Sequence, residues 1–179
     1  MNIEKTFIDG LLVITPKVFA DDRGYFIESY NKKTLNDILD VEFVQDNESA
    51  SQKGVLRGMH FQKPPHAQSK LVRVIKGSVL DVVVDIRKGS DTYGKHYKHV
   101  LSGEHKEQLY IPKGFAHGFL VLEDDTIFSY KCSDYYNKDS EASLLWRDET
   151  LNINWQIENP IISEKDIFGM KFADFITPF

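Results

Sequence analysis

At 179 residues, with a formal net charge of −5 and a pI near 5.7, the chain lacks the basic excess of a nucleic-acid binder, while a few local cations would still suffice to hold a small anionic ligand. Hydrophobic residues make up 41% and aromatic residues 12%, enough to bury a sizeable core, and no apolar run approaches the ~20 residues of a membrane span. The single cysteine, Cys132, excludes an internal disulfide framework and a Cys-rich zinc site, and reads as a small buried hydrophobe.

In chain order, Met1-Asn2-Ile3-Glu4-Lys5 does not begin a secretory signal, so a cytoplasmic protein is expected. No repeat, low-complexity tract or Pro/Ser-rich linker divides residues 1–179, which read as one domain. Strand-forming residues dominate from Leu11 to about Trp146, interrupted by one short helical stretch, Lys32 to Leu39. Asn47-Glu48-Ser49 is formally a glycosylation sequon and is read as chance. The clearest strands are Lys70 to Lys76, Ser78 to Arg87, Tyr97 to Leu101, Gln108 to Ile111, Ala116 to Leu122 and Thr126 to Cys132. Each is rich in Val, Ile, Leu, Tyr or Phe and bounded by Gly, Pro, Asp or Ser. Lys76-Gly77 and Glu123-Asp124-Asp125 look like tight hairpin connections. From about Glu158 the tail is expected to form short helices or irregular chain packed on the outside. Many short strands with little helix predict an all-β, double-sheet jelly roll.

Two segments carry chemistry-bearing residues within apolar frames. Gly54 to Lys70 supplies Arg57, His60 and Lys70: an anion-binding fork, a proton acceptor and a second cation. Ile111-Pro112-Lys113-Gly114-Phe115-Ala116-His117-Gly118-Phe119 adds another histidine, and its Pro112-x-Gly114-x-x-His117 spacing has the form of the second cupin motif. Strand alternation puts Asp81, Val83, Asp85 and Arg87 on one face and Leu80, Val82, Val84 and Ile86 on the other. The two carboxylates therefore point into a polar cavity or toward solvent. Phe115, His117, Phe119 and Val121 share a face, as do Phe128, Tyr130 and Cys132. On pattern alone, a His or Tyr on such a face is more often a satisfied core group than a catalyst. Arg57 and His60 lie three apart, which in a regular strand sends them to opposite faces. A bulge at Gly58 would turn both inward; otherwise one lies outside the pocket.

From Pro16 to Asp166 the chain resembles the dTDP-4-dehydrorhamnose 3,5-epimerase family. The likeness rests on Asp21-x-Arg23-Gly24-x-Phe26-x-Glu28, Val44-Gln45-Asp46-Asn47-x-Ser49, Leu56-Arg57-Gly58-x-His60-Phe61-Gln62 and Gln68-x-Lys70. It continues in Asp81-Val82-Val83-Val84-Asp85-Ile86-Arg87, the His117 segment, Tyr130-Lys131-Cys132, Tyr135-Tyr136 and Ser163-x-Lys165-Asp166. The resemblance implies a metal-free cupin homodimer, without cofactor, that inverts C3 and C5 of a dTDP-linked 4-keto-6-deoxyhexose. It implies His60 as base, Tyr130 as acid, Asp166 as the carboxylate on the base, and Lys70 as the cation at the enolate oxygen. It implies pyrophosphate contacts from Arg23 and Arg57. Glu28, Gln45, Asn47, His117, Glu141 and Lys165 match other substrate contacts, and Tyr135 an aromatic position near the acid. Arg23, Phe26 and Glu28 are expected to reach the site from a partner subunit. His105 departs from the family pattern and is expected in a loop outside the pocket, whereas Pro64 and Pro65 have no reading.

Three rivals compete. A metal-dependent cupin needs a His-x-His pair, and His60-Phe61-Gln62 lacks the second histidine. A non-catalytic cupin has no use for a base, an acid and a cation in one cavity. An enzyme epimerising only C3 or only C5 would share all three residues, and Tyr135 favours the double reaction.

Overall fold

The computed structural model describes residues 1–179, apart from the side chains of Asn36 and Asp37. The chain opens with β1 (Asn2–Lys5), β2 (Leu12–Thr15), β3 (Val18–Asp21) and β4 (Gly24–Ile27), followed by helix α1 (Lys32–Leu39). It continues through β5 (Gln45–Ser51), β6 (Val55–Gln62), β7 (Lys70–Lys76), β8 (Ser78–Asp85) and β9 (His96–Ser102). Then come β10 (Gln108–Ile111), β11 (Phe115–Val121), β12 (Thr126–Cys132), β13 (Glu141–Ser143) and β14 (Ile161–Ile162). The short helix α2 (Glu164–Ile167) and a 3-10 turn at Phe172–Asp174 complete it.

Two sheets face each other, ordered β1-β2-β10-β7-β12-β5 and β13-β6-β11-β8-β9, with β14 parallel to β6; β3 and β4 form a separate hairpin. This is the jelly roll expected. Between the sheets, Val72, Val74, Leu109 and Phe128 from one wall meet Val79, Val83, Phe119 and Val121 from the other. The outer face of the second sheet is covered too. Leu80, Val82, Val84 and Ile86 pack with Leu144, Leu151, Trp155 and Phe179 of the C-terminal tail. Burial on both faces explains why β8 carries apolar residues on both sides, Val79 and Val83 on one and Leu80, Val82 and Val84 on the other. Helix α1 sets Leu35 and Leu39 against Ile14, Leu71 and Tyr110 on the outside of the first sheet.

Two sequence expectations need correction. Lys76-Gly77 and Glu123-Asp124-Asp125 reverse the chain, yet neither closes a hairpin: β7 and β12 belong to one sheet, β8 and β11 to the other. Gly77, with φ of 79°, supplies the reversal, but the next strand's partner is chosen by non-local pairing, which turn residues do not encode. The second correction concerns the carboxylates of β8. Asp81 and Asp85 are both 0% exposed, so neither faces solvent. Asp81 meets His117 between the sheets, whereas Asp85 is turned to the loop after β8. Asp85 accepts hydrogen bonds from the Arg87 backbone and guanidinium, Ser90 Oγ and Thr92 Oγ1, organising that loop. Burial alone would raise its pKa, but these donors bring it down to about 2.

The question left open at Gly58 is answered by a bulge. His117 pairs with His60 and Phe119 with Arg57, so two residues of β6, Gly58 and Met59, oppose the single Gly118 of β11. Gly58 takes φ of 147°, and a Cβ there would lie 2.5 Å from the Gly118 Cα. The extra residue lets Arg57 and His60 line one cavity, while Leu56 and Met59 join the outer cluster.

Candidate active site

The cavity lies between the sheets and has two connected chambers sharing His60, Lys70 and Tyr130. The outer chamber, about 360 Å³, is lined by Gln45, Asn47, Gln62, Gln68, Tyr136 and Glu141 besides these. The inner, about 160 Å³, adds Arg57, His117, Phe119, Phe128 and Glu48. His60 stands on β6 of one wall; Lys70 on β7 and Tyr130 on β12 stand on the opposite wall.

His60 is held by the C-terminal tail. Ser163 caps α2 by accepting from the Asp166 N–H, which turns Asp166, 3% exposed, toward β6. Its Oδ1 lies 2.6 Å from His60 Nε2, and its Oδ2 accepts from the Gly58 N–H at 3.3 Å. Burial pushes the Asp166 carboxyl up, but the bonds from His60, Gly58 and Ser163 outweigh it and hold the pKa below its ordinary value. An ionised carboxylate only accepts, so it assigns the proton to His60 Nε2 and leaves Nδ1 as the basic lone pair.

On the facing wall, desolvation lowers the Lys70 pKa, opposed by the nearby Cys132, Asp81 and Glu141. The Lys70 ammonium lies 5.9 Å from the centre of the Tyr130 ring. Burial raises the Tyr130 pKa, so its phenol is a proton donor at neutral pH. Arg57 reaches Ser51 Oγ at 3.2 Å, and His117 Nε2 lies 2.9 Å from Asp81 Oδ2. Glu141 is ion-paired with Lys165 and accepts from Tyr136 OH at 3.1 Å. These bonds overcome desolvation and hold its carboxyl below the usual range. The polar edge strand β5 presents Gln45 and Asn47 on one side, and Gln45 donates to Asn47 Oδ1 at 3.0 Å. This arrangement can remove a proton from one side of a bound molecule and return one from the other, beside a cation.

A family model described as dTDP-4-dehydrorhamnose 3,5-epimerase matches residues 5–174. The chain belongs to that family. It is 53% identical over 176 residues to the dTDP-4-dehydrorhamnose 3,5-epimerase of Shigella flexneri, covering 97% of each chain. It is 50% identical over 169 residues to that of Escherichia coli (strain K12), covering 93% of this chain and 91% of that one. A crystal structure of dTDP-6-deoxy-D-glucose-3,5-epimerase from Legionella pneumophila Philadelphia 1, in complex with dTDP-4-keto-L-rhamnose, aligns with a TM-score of 0.93 and 47% identity. That alignment covers 98% of this chain and 94% of that one.

The epimerase resemblance drew attention to fourteen positions, and the fold gathers most of them. His60, Lys70, Tyr130, Arg57, His117, Gln45, Asn47 and Glu141 line the cavity; Asp166 and Lys165 contact it through His60 and Glu141. Four stand apart. Arg23, Phe26 and Glu28 belong to the β3–β4 arm and its continuation, exposed and away from their own chain's cavity, with Arg23 paired to Asp21. Tyr135 is 64% exposed, and its neighbour Tyr136 lines the cavity instead. The pair sits in a loop, where no alternation rule tells one ring from the next. His105 lies exposed in the turn after β9. Sequence reasoning gave no role to Gln62 or Gln68. Gln62 binds the His66 and Tyr135 carbonyls and the Asn137 N–H, stitching two rim loops together. A glutamine closing the strand-forming segment Val55–Gln62 was the available signal.

Proposed function

We propose that the protein inverts C3 and C5 of dTDP-4-dehydro-6-deoxy-D-glucose, forming dTDP-4-dehydro-L-rhamnose in dTDP-L-rhamnose biosynthesis. Both carbons flank the C4 carbonyl, so loss of either proton gives an enolate, and reprotonation on the other face completes the inversion. His60 Nδ1 takes the proton, with Asp166 fixing the tautomer and stabilising the imidazolium that forms. Lys70 carries the charge that neutralises the developing oxyanion at O4, and Tyr130 returns the proton. The observation that carries this reading is that base and acid rise from opposite sheets into one cavity.

Arg57 and, from a partner subunit, Arg23 bind the pyrophosphate, where a guanidinium fork suits phosphate oxygens. Gln45, Asn47, His117, Glu141 and Lys165 provide further substrate contacts, joined by Tyr135 and the partner-borne Phe26 and Glu28. We read the active form as a cytoplasmic homodimer of single-domain subunits. What supports the dimer is the arm: Phe19 is 52%, Tyr25 56% and Phe26 67% exposed on a two-stranded hairpin too small to be stable alone. No helix among the described residues is long and apolar enough to cross a membrane.

The test is incubation with dTDP-4-dehydro-6-deoxy-D-glucose in heavy water containing EDTA, followed by NMR of the product. Deuterium is expected at both C3 and C5 with L-configuration. Deuterium at C3 alone would identify a single-position epimerase, and none at either carbon would overturn the assignment.

A further inference from the structure

Asp81 has no part in the mechanism above, yet it occupies the most demanding position in the molecule. It is 0% exposed on the inward face of β8, flanked by Val79 and Val83, where a purely structural strand would place another valine. One oxygen, Oδ2, meets His117 Nε2 at 2.9 Å; the other, Oδ1, has no hydrogen-bond partner. Burying a carboxylate this way costs stability, and an apolar residue of similar volume would serve the core better.

The His117 ring explains why the carboxylate is there. Phe128 lies across it at 6.2 Å with an interplanar angle of 23°, and Phe119 at 6.3 Å with 36°. These aromatics set the plane of the imidazole. They leave open which nitrogen faces the chamber and which carries the proton. An ionised carboxylate accepts only, so it settles both: Nε2–H turns to Asp81, and Nδ1 remains for a ligand. His117 lines the same chamber as Arg57 and Lys70. We propose that Asp81 is a positioning residue, locking His117 so that Nδ1 is presented to the inner chamber as an acceptor for a hydroxyl of the bound sugar.

This inference rests on the epimerase reading for its ligand, but the tautomer is measurable without turnover. Nitrogen-15 NMR of the resting, histidine-labelled protein, with His117 assigned by its loss in His117→Phe, is expected to show a protonated Nε2 and a bare Nδ1. A bare Nε2 would overturn the proposal, and no Asp81 variant has to fold for that result. In activity, Asp81→Asn frees the ring to change tautomer and is expected to lower kcat/KM roughly 10- to 100-fold. If Asp81 acts through His117, the Asp81→Asn/His117→Phe double variant is no slower than the worse single variant. Losses that multiply would show that Asp81 acts by another route. A protein that fails to turn over the sugar but shows the expected tautomer would refute the epimerase assignment alone.

Discussion

His60 and Tyr130 are separated by function as well as by sheet, and the two tasks can be tested apart. His60→Ala removes the imidazole that Asp166 holds through Nε2–H, and with it the basic Nδ1, so deuterium from heavy water is expected at neither C3 nor C5. Tyr130→Phe keeps the ring in its aromatic contact with Phe128 but deletes the donor. It is expected to slow epimer formation by roughly 10²–10⁴-fold while exchange with retained configuration continues faster than inversion. The measurement is NMR of isotope position and configuration at early times. Exchange at the wild-type rate in His60→Ala would remove His60 from the role of base. At this scale the sequence was informative about residue types and silent about partners. Arg57, His60 and Lys70 stand in one short stretch, but Asp166 is 106 positions from His60, and no local pattern connects them.

Among the elements, β6 sets the geometry of the site through its bulge. Gly58 is confined by two separate constraints: a φ that L side chains rarely adopt, and the Gly118 backbone where its Cβ would be. Gly58→Ala is expected to cost about 3 kcal/mol, combining backbone strain with overpacking, and to misplace Arg57 relative to His60. In thermal unfolding that is a drop of roughly 6–12 °C for a chain of this size, with activity lost as well. Gly89→Ala is the control: it has φ of 78° but nothing within 4 Å of the added Cβ, so only about 1 kcal/mol is expected. Equal losses in the two variants would mean that the close approach to Gly118 is unimportant. Helix α1 and strands β7, β10 and β12 coincide with the segments read from the sequence, because their apolar periodicity and bounding polar residues are local properties.

At the scale of the whole molecule, the β3–β4 arm predicts an assembly. The protein is expected to sediment as a dimer, twice the 20.6 kDa of the chain, at assay concentration. A mixing experiment tests the shared site more directly. His60→Ala and Arg23→Ala are each expected to be inactive as homodimers. After subunit exchange, a mixed dimer regains one intact site, with His60 from one chain and Arg23 from the other. Activity is then expected to return to roughly a quarter of the wild-type value under random exchange. No recovery in demonstrably mixed dimers would place Arg23 in its own subunit's site, and an active Arg23→Ala homodimer would place it outside the site.

Read alone, the sequence determined the strand-rich class, the position of α1, the family and the residue types the chemistry requires. These follow from short-range periodicity and from motifs contiguous along the chain. Only the tertiary structure decided that the turns at Gly77 and Asp124 cross between sheets and that Asp81 is buried against His117 while Asp85 closes a loop. It also decided that Gly58 turns Arg57 and His60 to the same side, and that Tyr136 rather than Tyr135 lines the cavity within the chain. Each of these depends on which distant strand or loop becomes a neighbour. That choice is made by packing two sheets and a tail around one core, and it has no signature within a single segment.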